Sequence, residues 1–169
     1  MSNELIGVIA NLAIALSFIV GLIFGVAQVK AAARDRRERL TLEAINNFQS
    51  REFAELILYV TTSKFPTNQR EYGEVANNER VMMIQFAQQM ESLGLLVSER
   101  LVDVDLVEKT LGTLVTSTWK KYSPMFGDIR VNAPDPFLGE YFQWLSDRIE
   151  ERMRLSPRKP FYEVGPRVC

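Results

Sequence analysis

From Leu5 to Val29 the chain reads LIGVIANLAIALSFIVGLIFGVAQV, apolar on every side and without a charged residue. A helix rises about 1.5 Å per residue, so about 20 such residues cross the ~30 Å hydrocarbon core of a bilayer. The stretch is long enough to do so with tilt, and the pattern predicts a transmembrane helix. A buried helix of a soluble protein is normally shorter and keeps a polar side. A cleaved signal peptide wants a basic start and an apolar core of about 7–15 residues. Here the one charged side chain before the run is Glu4, although Ala31-Ala32-Ala33 looks like a small-residue cleavage site.

Beyond the run the period changes to that of amphipathic helices, and the chain as a whole reads as all-α. Lys30–Phe48 is rich in good helix formers and is expected to continue the membrane helix as a stalk over residues 30–49. A helical domain of about four helices is expected over residues 50–154. Ser50 is a candidate N-cap for Arg51–Thr62, with Phe53, Leu56, Ile57 and Val60 on its inward face. A polar loop from Ser63 to about Gly73 follows, with Pro66 and Asn68. The next helix starts at Glu74 or Asn78 and runs to Val97, facing inward with Val81, Ile84, Ala87, Met90 or Glu91, and Leu95. Met82, Met83 and Met90 read as core filler or as a greasy groove, and Gly94 as a weak point near the helix end. Asp103 or Asp105 caps a helix from about Val104 to Tyr122. Its stripe is Leu106 or Val107, Thr110 or Leu111, Leu114, Thr118, Trp119 and Tyr122, and Pro124 stops it. Met125–Pro136 reads as irregular, with Gly127, Asn132, Pro134 and Pro136 as breakers. The last helix is expected from Pro136 or Phe137 to about Arg154, capped by Asp135. Phe137, Tyr141, Trp144, Leu145 and Ile149 form its apolar face. Residues 155–169, with Pro157, Pro160 and Pro166 among Arg158, Lys159 and Arg167, read as a flexible tail.

Charge next to the apolar run sets its orientation. Lys30, Arg34, Arg36, Arg37 and Arg39 follow it, whereas residues 1–4 hold no basic side chain. Positive residues stay inside, so the main domain is expected in the cytoplasm against the inner membrane, with Met1 outside. The same five residues are candidates for contact with lipid phosphates. Within the run Ala13, Ser17, Gly21 and Gly25 recur every fourth position and share one helix face. Gly21 and Gly25 make a GxxxG pair that lets two backbones approach closely, so this face is the candidate for self-association or for a partner membrane helix.

The charged RDRRER after the run, FAQQMESLGLLV at Phe86–Val97, the Leu106–Trp119 helix and YFQWL at Tyr141–Leu145 form a pattern of helices and aromatic anchors. It resembles a family of uncharacterised bacterial proteins with one N-terminal membrane helix and a short cytosolic helical domain. The resemblance covers roughly Leu5–Glu150. It implies that architecture and supplies no catalytic residues.

Composition narrows the chemistry. The 169 residues are 47% hydrophobic and 24% charged with a net charge of −1, ordinary for a globular domain and giving no global attraction to nucleic acid. There is no histidine, which removes Ser-His-Asp and Cys-His catalysis and histidine metal sites. The single cysteine, Cys169, excludes an internal disulfide. Asp103 and Asp105 are a cap cluster rather than an acid–base pair, because i and i+2 diverge on a helix. Lys120 and Lys121 between Trp119 and Tyr122 suit a helix C-terminus better than a nucleic-acid patch. No Walker, GxSxG or dinucleotide motif is present. The expectation is therefore a non-enzymatic interaction or scaffold module without a cofactor. Its expected partners are the lipid bilayer, further copies of itself and an unknown cytosolic protein. The alternatives are an effector or sensor acting on the membrane and, ranked last, a membrane-tethered enzyme.

Overall fold

Among the described residues the computed structural model has six helices and no strand: α1 (Asn3–Asn47), α2 (Arg51–Thr62), α3 (Gln69–Glu74), α4 (Asn77–Ser98), α5 (Val104–Asn132) and α6 (Glu140–Leu155). The structure describes residues 3–133, 135–160 and 162–163. Met1, Pro134, Pro166, Arg167 and Cys169, each named in the sequence analysis, lie outside them. The chain divides into two compact units, Met1–Arg39 and Leu40–Cys169.

The first unit is the apolar part of α1 and its basic continuation. The helix passes from one to the other without a break, as the run of good helix formers predicts. Its most apolar window has a mean hydropathy of 2.4 and is 0% buried, so this helix is long and apolar enough to cross a membrane. Phe18, Phe24 and Val29 stand 74%, 65% and 71% exposed.

The second unit folds around side chains from α2, α4, α5 and α6. Six aromatic rings pass contact from one to the next: Phe53 on Phe86, Phe86 on Tyr122 and Phe142, and Trp119 between Phe126 and Phe142. Tyr122 sits at the centre, fully buried, and its hydroxyl donates to the Met83 carbonyl at 2.8 Å. Burial pushes its phenol well above the usual range, so it stays neutral. The last turns of α1 belong here too. Ala44 packs on the core, and the Asp103 N–H donates to Thr41 Oγ1 at 3.2 Å.

Several expectations are met. Ser50 Oγ accepts from the Phe53 N–H at 3.1 Å and Asp103 Oδ1 from the Asp105 N–H at 2.8 Å, so both caps form. In α2, Phe53, Leu56 and Val60 are buried, and Val107, Thr118, Trp119 and Tyr122 are buried along α5.

Others are corrected. Part of the expected loop after Ser63 is α3, capped by Asn68, whose Oδ1 accepts from the Glu71 N–H at 2.9 Å. In α4 the inward face is Met83, Phe86, Met90, Leu93, Gly94 and Val97, while Val81, Ile84 and Leu95 are exposed. Gly94 does not end this helix. It is buried where α4 meets α6, and a Cβ there would stand 2.2 Å from the Tyr141 carbonyl oxygen. Pro124 does not end α5, which runs on to Asn132. A proline removes one backbone bond, here to the Lys120 carbonyl. Pro124 and Lys120 both face solvent, so water can serve that carbonyl, while Met125 and Phe126 just beyond are buried in the core.

α6 starts later than Asp135 predicts. Asp135 Oδ1 accepts from the Phe137 N–H at 3.1 Å in a turn, and the helix begins after Gly139. Gly139 has φ of +69°, and a Cβ there would meet Phe126 at 2.4 Å, so both backbone and space require glycine. The later start shifts the face. Phe142, Leu145 and Ile149 are buried, while Phe137 is 67% and Trp144 40% exposed.

Candidate functional site

On α1 the small residues lie in line as their spacing predicts. Each step of four residues turns about 40° beyond a full circle, so Ala13, Ser17, Gly21 and Gly25 trace a slanted line. Ser17 Oγ donates to the Ala13 carbonyl at 2.8 Å, which satisfies the hydroxyl within the helix. A Cβ at Gly21 or Gly25 would meet nothing within 4 Å. Ser17, Gly21 and Gly25 floor a shallow apolar groove of about 780 Å³, walled by Phe18, Leu22, Val26 and Val29. Small-residue grooves of this kind accept a second helix backbone, usually in a right-handed crossing.

The basic flank is a collar rather than a patch. Lys30, Arg34 and Arg37 follow one another at i, i+4 and i+7, while Arg36 and Arg39 fall on the opposite side. All five are exposed. Arg34 Nε pairs with Glu38 Oε1 at 2.9 Å, and that hydrogen bond pushes the guanidinium pKa further up. Cations on opposite sides of a helix suit a surface that surrounds it.

The second unit holds a cleft of about 520 Å³ between the end of α1, α2 and α4. Ala44, Phe48, Leu56, Met82, Leu93 and Leu96 give it apolar walls. Glu52, Glu55, Gln85, Gln88, Gln89 and Ser92 add polar atoms. Gln89 Oε1 is sealed from solvent and has no hydrogen-bond partner among the described residues. A buried acceptor without a donor is unfavourable by about 1–3 kcal/mol. Of the three methionines, Met83 and Met90 fill the core and Met82 lines this cleft.

Asp105, Lys120 and Lys121 are engaged in contacts within the second unit. Arg152 donates to Glu108 Oε2 at 2.8 Å and also pairs with Asp105, joining α6 to α5. Lys120 pairs with Glu150 at 2.8 Å. Lys121 Nζ donates to the Val60 and Thr61 carbonyls at 2.8 and 2.7 Å, capping the end of α2. With Trp119 and Tyr122 buried, these residues form no exposed basic–aromatic surface. Among the described residues no group of three His, Cys, Asp or Glu side chains is placed to hold a metal ion.

Sequence reasoning missed Gln89, and it placed Glu91 only as an alternative to Met90 on the inward face of α4. The Glu91 carboxylate accepts from the Tyr141 and Phe142 N–H groups at 3.1 and 2.8 Å, an anion at the N-terminus of α6. Neither has a local signature, since polar residues on α4 carry no mark of what lies across from them.

A family model described as a domain of unknown function (DUF4760) matches residues 15–149, well over half of the chain. No curated protein and no solved structure matches.

Proposed function

The chain belongs to this family of unknown function, and we propose that it is a membrane-anchored helical interaction module. In this reading α1 spans the inner membrane over Leu5–Val29, with Met1 outside and the Leu40–Cys169 unit in the cytoplasm. Copies associate through Ala13, Ser17, Gly21 and Gly25, and the cytoplasmic unit engages protein partners.

The observation that carries the reading is the uncovered apolar surface of α1. Each large apolar side chain left in water forgoes about 1.5–3 kcal/mol. Val8, Leu12, Phe18, Leu22, Ile23, Phe24 and Val29 are all more than half exposed, so the deficit in water reaches about ten kcal/mol or more. Lipid tails remove it. The collar of Lys30, Arg34, Arg36, Arg37 and Arg39 falls where acidic headgroups begin, and its place after the apolar run favours an inward orientation for the Leu40–Cys169 unit. Lipid tails are as apolar as leucine, so association within the bilayer depends on close packing, which open glycines permit. Confinement to one surface also raises the effective concentration of every binding face on the module.

A membrane two-hybrid assay with full-length chains tests the reading. Gly21→Ile and Gly25→Ile are expected to lower the association signal, while Ile19→Ala, on the opposite side of the helix, retains it. An unchanged signal in both glycine variants discards this face. Recovery of the full-length chain in the supernatant after lysis without detergent, unaggregated, discards the span itself.

A further inference from the structure

We propose that the cleft formed by the end of α1, α2 and α4 receives the basic, aromatic segment 155–163 of a second copy. The cleft is a built acceptor site. Its walls are apolar, it includes Glu52 and Glu55, and no lysine or arginine lines it. Glu52 makes no ion pair or hydrogen bond among the described residues. Glu55 has one exposed intrahelical partner, Arg51 at 3.0 Å, a weak surface pair that exchanges readily. Such a site suits a ligand that carries several N–H groups on an apolar body, which describes an arginine or lysine beside aromatic residues.

The segment LSPRKPFYE supplies that chemistry. Leu155 and Tyr162 are 71% and 88% exposed, and Arg158 and Lys159 are exposed and make no ion pair among the described residues. Pro157 and Pro160 fix φ at two positions, so little chain freedom is lost on docking. In its own chain the start of the segment lies beside Glu108, Lys109 and Gly112 of α5, and α5 does not line the cleft. A second copy is therefore the source, and the inference rests on the anchoring reading in that a shared bilayer brings copies together.

Fluorescence anisotropy of a labelled LSPRKPFYE peptide, titrated with the full-length protein in detergent micelles, tests this. Saturable binding is expected. Glu52→Gln with Glu55→Gln weakens it by at least about tenfold, and Arg158→Glu with Lys159→Glu in the peptide abolishes it. Absence of saturable binding overturns the proposal, as does equal affinity in the cleft variants or for a scrambled peptide. The readout in micelles does not depend on the glycine face. Loss of peptide binding with an intact two-hybrid signal therefore removes this inference and leaves the anchored module standing.

Discussion

Replacing Gly94 by alanine adds one methyl group and should undo the joint between α4 and α6. The new Cβ would lie 2.2 Å from the Tyr141 carbonyl oxygen and 2.6 Å from its carbon. Both are backbone atoms and cannot swing aside. Ordinary contact begins at 3.4 Å, so the two helices must separate by about 1.2 Å at this point. One turn away, the Glu91 carboxylate holds the Tyr141 and Phe142 N–H groups at 3.1 and 2.8 Å, and the same separation carries both beyond hydrogen-bond range. Overpacking costs about 1–3 kcal/mol, and hydrogen bonds to a charged group about 1.5–3 kcal/mol. Alanine returns about 1 kcal/mol of helix propensity. With both bonds lost, the net expectation is a loss of about 3–8 kcal/mol, a fall in Tm of about 10 °C or more. Thermal unfolding of the full-length protein in micelles, followed by near-UV circular dichroism, measures it. Gly127→Ala is the control, because a Cβ there meets nothing within 4 Å in an exposed part of α5. It should gain up to about 1 kcal/mol. If Gly94→Ala unfolds within about 1 °C of the parent protein, the close approach of α4 and α6 is wrong, since even mild overpacking exceeds that.

Two more outcomes concern the core of the second unit. Tyr122→Phe removes the hydroxyl bonded to the Met83 carbonyl and should cost about 1 kcal/mol at neutral pH in urea unfolding. The folded protein raises the Tyr122 pKa above its ordinary 10.0, so the neutral phenol's contribution is fully present below pH 10 and erodes above it as the unfolded chain ionises. Stability should therefore fall above pH 10, and the Phe variant should fall less steeply. Lys121→Met keeps the side-chain length but strips two donors from the end of α2, and should cost about 1–2 kcal/mol in the same assay.

What the sequence makes legible here is what is local. Ser50 and Asp103 announce their helices because a cap needs only its own next turn. The apolar run of α1 is legible because it is apolar on every side, and no phase has to be chosen. The face of α4 is not, for Val81, Met82, Met83 and Ile84 are four consecutive apolar residues compatible with more than one register, and α4 packs against both α2 and α6. Pro124 and Gly139 mislead for opposite reasons. The proline is overridden by Met125 and Phe126, which find the core only if the helix continues. The glycine reads as an ordinary helical position, yet it is the left-handed hinge that sets where α6 begins. Of the candidate sites, the line of small residues on α1 follows from spacing alone. The cleft does not, because it is assembled from three helices whose contacts no local pattern encodes.

The two tryptophans give the molecule a built-in optical reporter. Trp119 is buried among Phe126 and Phe142 with the Arg130 guanidinium 5.9 Å above its ring, whereas Trp144 is 40% exposed. Trp144→Phe should therefore leave a single indole whose emission colour and quencher accessibility report on the α5–α6 joint alone. Slackening of that joint can then be watched in intact vesicles, with no dye attached and no cysteine introduced.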